Sequence, residues 1–468
     1  MISFLLFIFL QVEYYILSKI NLMNLNKCKQ LTVVFLLFSI AACQKNIEII
    51  PQQAQKLPSR MVTAWNTQIM HLIKTSDGYT LPVSSRAIAF CGMAMYESIL
   101  PAMPHHLSLS QSIPNFTYEK MFNPNELIDV EISLNAANAD LCRHLFKTAP
   151  FEEIIAINTF ERLWLDNLDK QWDDQAIINR SIAWGKSVAA ALINLEITDD
   201  IAHEGYYKNF TGNYEINPAE YSWKPTPPHY SNPLFPAWQY ATPIGVFTQN
   251  LMALPPFTFS TDPESKMYSD AMEVYTMSQN LSDEQKHMAE FWDDEMPLTS
   301  MGSAGRWTSI LSNYISDQNV NLEIAVNAYV KSTLALYNAG IISWQAKYNF
   351  DRLRPISYIR NYIDSDFDEY MSATPGPEYI SEHTLMAFAA GSILNSIFGQ
   401  QAFTDRCHAD RQDINGTPRS FNSFMHAAEE CAISRLYAGT NFRHSIKESE
   451  RLGKMCAKQV IQNIRWKF

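Results

Sequence analysis

The sequence predicts an all-α protein built as two helical halves. Three observations predict it. Apolar residues recur at three- and four-residue spacing along most of the chain, and no segment sustains the alternation of a strand. One long stretch rich in Pro, Tyr and Trp interrupts the helical pattern near the middle. The 468 residues are 47% hydrophobic and only 18% charged, which supplies a large core or two adjacent ones and argues against wholesale disorder. The 19 Met and the aromatic residues, 12% of the chain, read as helical core packing rather than as a cofactor lining. A net charge of −12 without a basic run excludes nucleic acid as a partner. An acidic chain that binds an anion must gather its cations locally.

Residues 1–43 read as a leader rather than as fold. Their two apolar stretches, 2–10 and 31–42, are shorter than the roughly 18–20 residues of a membrane span. Lys27 and Lys29 precede the second, and Ile40-Ala41-Ala42-Cys43 closes it, the layout of a secretory signal in which Met23 serves as the true start. The closing tetrad resembles a bacterial lipobox. The expectation is an exported protein, lipid-anchored through Cys43 at the cell envelope, in the periplasm or at the outer membrane. An uncleaved N-terminal anchor would also export and tether it.

Residues 44–58 read as a tether, and 59–202 as the N-terminal helical half, with helices expected over 60–73, 84–100, 126–148, 152–166 and 176–195. In the second of these, Ala87, Cys91, Met95 and Ile99 form one stripe. Residues 203–262 read as the connection between the halves and as a wall of the site. The C-terminal half, 263–468, carries helices over 265–277, 282–293, 321–353, 381–398, 423–438 and 445–464. Leu334, Tyr337, Ile341 and Trp344 share a face of the long one, which Pro355 ends or kinks. Ala387, Ala390 and Gly391 permit close helix approach. Outside the leader stand five cysteines, Cys91, Cys142, Cys407, Cys431 and Cys456. Cys407 and Cys431 flank a polar loop and are either a disulfide or separate buried thiols. No Cys/His spacing suggests zinc.

The chemistry concentrates near the C-terminus. Lys347 and Arg354 are two helical turns apart and reach one face, with Asp351 placed to pair with Lys347 and Arg352 pointing elsewhere. Pro375-Gly376-Pro377 breaks the chain before Ser381-Glu382-His383, where a helix begins. Helix N-termini favour anions. Ser381 either donates to an oxyanion or caps the helix, and His383 is the residue suited to protonate a leaving oxygen. Arg435, after Ser434, supplies a third cation. Guanidinium forks and an ammonium suit a tetrahedral oxyanion such as phosphate or vanadate.

The order Lys-x6-Arg-Pro, Ser-x-His, Ser-Arg-x3-Gly resembles the type 2 phosphatidic acid phosphatase and vanadium haloperoxidase superfamily. The segments 84–96, 290–293, 305–307 and 419–423 look like bacterial vanadium-haloperoxidase-like proteins, so the resemblance spans about 60–465. It implies two helical bundles with the oxyanion site in the C-terminal one, formed by Lys347, Arg354, Ser381, Glu382, Arg435 and Asn441. The chain departs from the pattern at three positions. Glu382 stands where the family has glycine. Asn441 stands for the histidine that attacks phosphorus or bonds vanadium, and Ser445 for the aspartate that orients it. His444 and Glu448 repeat a His-x3-carboxylate spacing nearly one turn later and are the candidate substitute nucleophile and its orienting group, the alternatives being a weak or lost enzyme that still binds an oxyanion and direct attack by water. The function expected first is an exported phosphohydrolase acting on a phosphate-containing small molecule, with His383 as general acid and no required cofactor or metal. The others are a vanadate-dependent haloperoxidase, with vanadate at the same site, and a non-enzymatic oxyanion-binding lipoprotein.

Overall fold

The computed structural model describes residues 52–208, 214–296 and 299–468. The leader, with Cys43, and the start of the tether lie outside the described residues. The helices are α1 (Arg60–Thr75), α2 (Val83–Ser98), α3 (Val130–Leu145), α4 (Phe151–Leu168), α5 (Gln175–Glu196), α6 (Gly205–Lys208), α7 (Lys266–Ser278), α8 (Asp283–Phe291), α9 (Gly302–Asp317), α10 (Leu322–Phe350), α11 (Pro355–Tyr362), α12 (Glu382–Phe398), α13 (Phe424–Tyr437) and α14 (Arg443–Asn463). None of these helices is long and apolar enough to cross a membrane.

The all-α expectation holds, and the burial explains why. α10 buries residues around its whole circumference, because its 29 residues pack against α2, α12, α9 and α14. α2 buries all of its residues between α10 and the α3–α5 group. These two helices join the N-terminal and C-terminal groups into one compact unit. α10 starts at Asn321, whose side chain accepts the Ile324 N–H, and stops at Asp351, which adopts a left-handed φ of 46°. Pro355 then opens α11 at its first turn, where a missing N–H costs nothing. In the C-terminal group, α12 lies against α14 and α13. A Cβ on Gly453 would stand 2.5 Å from the Leu385 carbonyl, and one on Gly391 would stand 3.2 Å from that of Phe424. Backbone therefore meets backbone at both crossings.

Three features differ from the sequence reading. α6, α9 and α11 are additional helices. β1 (Phe403–Asp405) and β2 (Arg419–Phe421) pair antiparallel, Phe403 opposite Phe421, and three residues are too few for alternation to register. The tether is anchored from Gln52 onward, which bonds to Asp129 at 3.1 Å, and Leu322 N–H donates to the Leu57 carbonyl at 2.9 Å. Cys407 and Cys431 are separate thiols. The Cys407 thiol lies against the Arg306 carbonyl and the Cys431 thiol against that of His383, each at 3.8 Å.

The connection lies over the C-terminal half of α10. The Asn338 amide on α10 bonds both the N–H and the C=O of Ile244, at 3.0 and 2.8 Å. The Leu234 N–H donates to the Pro375 carbonyl at 3.1 Å, which fastens the connection to the loop that faces Lys347 and Arg354.

Candidate functional site

Lys347 lies in the last turn of α10 and Arg354 caps α11, so the break at Asp351 turns both toward residues 374–378. Both are buried. Lys347 Nζ donates to the carbonyls of Pro377 and Glu378 at 2.9 and 3.3 Å. Arg354 donates to Gly376, Thr374 and Thr440 carbonyls at 2.9, 2.8 and 3.2 Å. Asp351 does not pair with Lys347. The left-handed turn carries it to the Tyr214 hydroxyl, 2.8 Å away. Arg352 points elsewhere, stacked over Tyr221.

Lys347 takes its carboxylate from α12 instead. Glu382 Oε2 lies 2.9 Å from Nζ, in ion-pair contact, and both side chains are 4% exposed. Burial alone would push the Glu382 carboxyl up, but the Lys347 charge, with His383 and Arg354, holds it well below the usual carboxylate range. Burial pulls the Lys347 ammonium down from its ordinary value, and Glu382 opposes that shift. The residue that replaces glycine therefore points inward and neutralises the first cation. Ser381 is the helix cap, accepting from the Thr384 N–H and hydroxyl at 3.4 and 3.0 Å.

His383 stands between two carboxylates. Its Nδ1 is 3.2 Å from Glu382 Oε1, and its Nε2 is 3.3 Å from Glu295 Oε1. Burial raises the Glu295 carboxyl to about 7, with Glu382 adding to the rise and His383 opposing it. These three residues could offer ligands to a metal ion. The two carboxylates address opposite nitrogens of one ring, and the Glu295 contact is an ion-pair contact without hydrogen-bond geometry. A cleft lined by Lys74, Ser76, Asp77, Glu295, Met296 and Ser300 opens onto the Glu295 end.

Glu295 owes its place to the network beneath it. Arg306 of α9 lies 4.3 Å from both the Phe291 and Trp292 ring centres and bonds Asp405 on β1 at 2.7 Å and Asp294 at 3.1 Å. His408 bonds Asp294 at 2.8 Å. The charges of Arg306 and His408 outweigh burial and hold the Asp294 carboxyl far below its ordinary range. Arg306→Ala leaves two buried carboxylates without their cation, so it should lower unfolding stability by about 3–5 kcal/mol. The midpoint of urea unfolding measures this, and an unchanged midpoint contradicts the role.

Arg435 is buried and holds backbone carbonyls of the α8 end. Its guanidinium donates to the Trp292 and Ala289 carbonyls at 2.8 and 3.4 Å, closing the C-terminal end of α8, while Nε contacts Ser434 at 3.1 Å. Asn441 donates from Nδ2 to Glu378 Oε1 at 2.9 Å, and the Phe442 N–H reaches the same oxygen at 3.1 Å. Glu378 is fully buried, and its Oε2 has no hydrogen-bond partner.

The substitute pair is not a pair. His444 Nδ1 lies 2.7 Å from Asp270 of α7, and its ring stacks with Tyr379 and Phe442. Glu448 instead bonds Arg451 at 2.5 Å and the Leu254 N–H at 2.7 Å. Arg451, three residues on, and the connection's backbone outcompete an imidazole that α7 already holds. His444 lines a small cavity with Phe257, Phe259, Arg352 and Glu378, while Lys347 and His383 belong to the neighbouring cluster.

Glu295 and Glu378 are the acidic residues beside the site that motif reading missed. Glu295 ends the run Asp293-Asp294-Glu295 after Trp292, and Glu378 follows Pro375-Gly376-Pro377. An acidic residue beside a break that faces two cations was the only available signal.

A buried Lys/Arg pair thus stands beside a histidine at a helix N-terminus, within a helical bundle. Residues 327–467 match the family model described as the VCPO second helical-bundle domain. The structure of a bacterial vanadium-dependent iodoperoxidase is similar with a TM-score of 0.77 and 24% identity, over 88% of this chain and 98% of that one. Apo-type and holo-type bacterial vanadium-dependent chloroperoxidases are similar at TM-scores of 0.61 and 0.59, each at 15% identity. They cover 81% and 90% of this chain, and 92% and 94% of their own. No curated protein matches. Residues 327–467 thus match the VCPO second helical-bundle domain, and the chain as a whole shares the fold of these haloperoxidases.

A permanently held vanadate does not fit the residues present. Position 441 offers an amide already bonded to Glu378, not an imidazole, and the Glu382 carboxylate lies on the ammonium that would face the anion.

Proposed function

We infer that the chain is a phosphate-ester hydrolase in which the oxyanion displaces Glu382 from Lys347 and His383 supplies a proton. The observation that carries this reading is the continuous chain Lys347–Glu382–His383–Glu295, in which a cation, a displaceable carboxylate, an imidazole and a carboxyl poised near neutrality adjoin in order. Lys347 and Arg354 bind phosphoryl oxygens, and their charge acts most strongly as negative charge builds on them in a site shielded from water. The oxygen of an attacking water forms the new bond to phosphorus. The ester oxygen leaves with a proton from His383, and the proton released by the water recharges the imidazole through Glu295. The test is release of phosphate from an aryl phosphate monoester by the full chain, with orthovanadate as a competing inhibitor. Absence of turnover in the wild type overturns the reading.

A second reading has one observation in its favour, that the three similar structures are vanadium-dependent peroxidases. It requires iodide or bromide oxidation by peroxide after vanadate loading, in the same preparation. Export and lipid attachment at Cys43 belong to the proposal too. Metabolic labelling with palmitate, lost in Cys43→Ser, is the outcome it requires.

Glu295 gives the site a pH dependence. Its carboxyl is neutral below about 7 and charged above it. Because the folded value is raised, the stability from this group is full below the ordinary carboxylate range and is lost as pH rises through 7. Oxyanion binding follows the same sign, since charging Glu295 adds an anion beside the site. Sulfate, whose charge is constant here, should raise the melting temperature more at pH 6 than at pH 8. Glu295→Gln should flatten the difference, and an equal difference in that variant refutes the assignment.

A further inference from the structure

A second polar cluster lies where α3, α5 and the loop before α6 meet. His144 occupies the last turn of α3, Glu196 is the last residue of α5, and His203 follows seven residues later. His144 Nε2 and His203 Nδ1 both converge on Glu196 Oε2, at 3.0 and 2.8 Å, and the two rings are within 15° of parallel.

We propose that His144, Glu196 and His203 form a binding site for a divalent transition metal ion of the zinc type. Two imidazole nitrogens and one carboxylate oxygen with a free fourth position is a zinc donor set. Metal bonds of about 2.0–2.1 Å at tetrahedral angles put neighbouring donor atoms about 3.3 Å apart, so the two carboxylate–imidazole contacts need to open by only a few tenths of an ångström to admit the ion. The ligands are held before the ion arrives. Arg86 grips the other Glu196 oxygen and, at 2.7 Å, the Glu196 main-chain carbonyl, which leaves Oε2 as the presented atom. Asp199 pins the loop that carries His203, accepting the N–H groups of Ile201 and Ala202 at 3.1 Å each and that of Thr242 at 2.8 Å. A cleft lined by Tyr79, Glu204 and Tyr206 reaches the cluster. The histidine side chains are 18% and 25% exposed while Glu196 is 4% exposed, so the ion has an approach and the carboxylate a dry floor. The near-parallel rings and the single shared oxygen distinguish this cluster from the His383 cluster, whose carboxylates face opposite ring nitrogens.

The site carries no zinc-like Cys/His spacing, because His144 lies 52 residues before Glu196 and His203 lies 7 after it. The experiment is titration of the chelator-stripped full chain with Zn²⁺ and, for its visible spectrum, with Co²⁺. The expected result is one equivalent bound, a rise in melting temperature, and Co²⁺ absorption of four- or five-coordinate type. His144→Ala and His203→Ala, each checked for folding by circular dichroism, should each weaken binding at least tenfold, while His383→Ala retains it. Binding that survives both histidine variants, binding lost in His383→Ala instead, or no binding by the wild type at micromolar metal overturns the proposal. If one variant fails to fold, the other decides.

Discussion

Replacing Glu382 by glycine should tighten phosphate binding by about a hundredfold. Two like charges about 6 Å apart at an effective dielectric of about 20 repel by about 3 kcal/mol, which is roughly two factors of ten in affinity. Glu382 stands 2.9 Å from the Lys347 ammonium, so any oxyanion bound there meets this repulsion or must move the carboxylate aside. The same substitution leaves Lys347 buried without a counter-charge, which should cost about 3–5 kcal/mol in the absence of ligand. Phosphate should then restore much of the lost stability. Calorimetric titration of wild type and Glu382→Gly gives the affinity ratio, and thermal melts with and without phosphate give the linkage. A variant that binds no more tightly than wild type removes Glu382 from the site's account.

The second large effect is on turnover. His383→Ala should lower kcat for an aryl phosphate by about 10²–10⁴-fold, the range of a lost general acid. KM should change little, because the ring is not among the groups that bind phosphoryl oxygens. A substrate with a better leaving group should lose less, since it needs less protonation, and a purely structural role for His383 would not make that distinction. His444→Ala should leave kcat standing, because Asp270 and the stacked Tyr379 and Phe442 rings hold it in a separate cavity. Loss of turnover in His444→Ala with His383→Ala unaffected would reverse the two assignments.

Much of the fold was legible because the helices are amphipathic or wholly apolar and are capped by residues such as Asn321, Ser381 and Ser423. α9 was missed because Met301-Gly302-Ser303 and Gly305 look like a loop in sequence. The αL turn at Gly302, with φ of 69°, opens the helix there instead. The site was legible as far as Lys347, Arg354 and His383, whose spacing and flanking prolines fix where they point. It was not legible where one side chain had several suitors. Asp351 and Glu448 each had a cation nearby in sequence, and Glu382 had none. Backbone geometry gave Asp351 to Tyr214, proximity gave Glu448 to Arg451, and burial gave Glu382 to Lys347. Nor could spacing reveal Glu295, which arrives from nearly ninety residues upstream because Arg306 and Asp405 fix the segment it ends.

The most direct measurement of the central claim is a crystal structure of the full chain soaked in orthovanadate as a phosphate mimic. The account predicts tetrahedral density between Lys347 and Arg354, with the Glu382 carboxylate swung away from the ammonium. An anion bound elsewhere, with Glu382 still seated on Lys347, would contradict it.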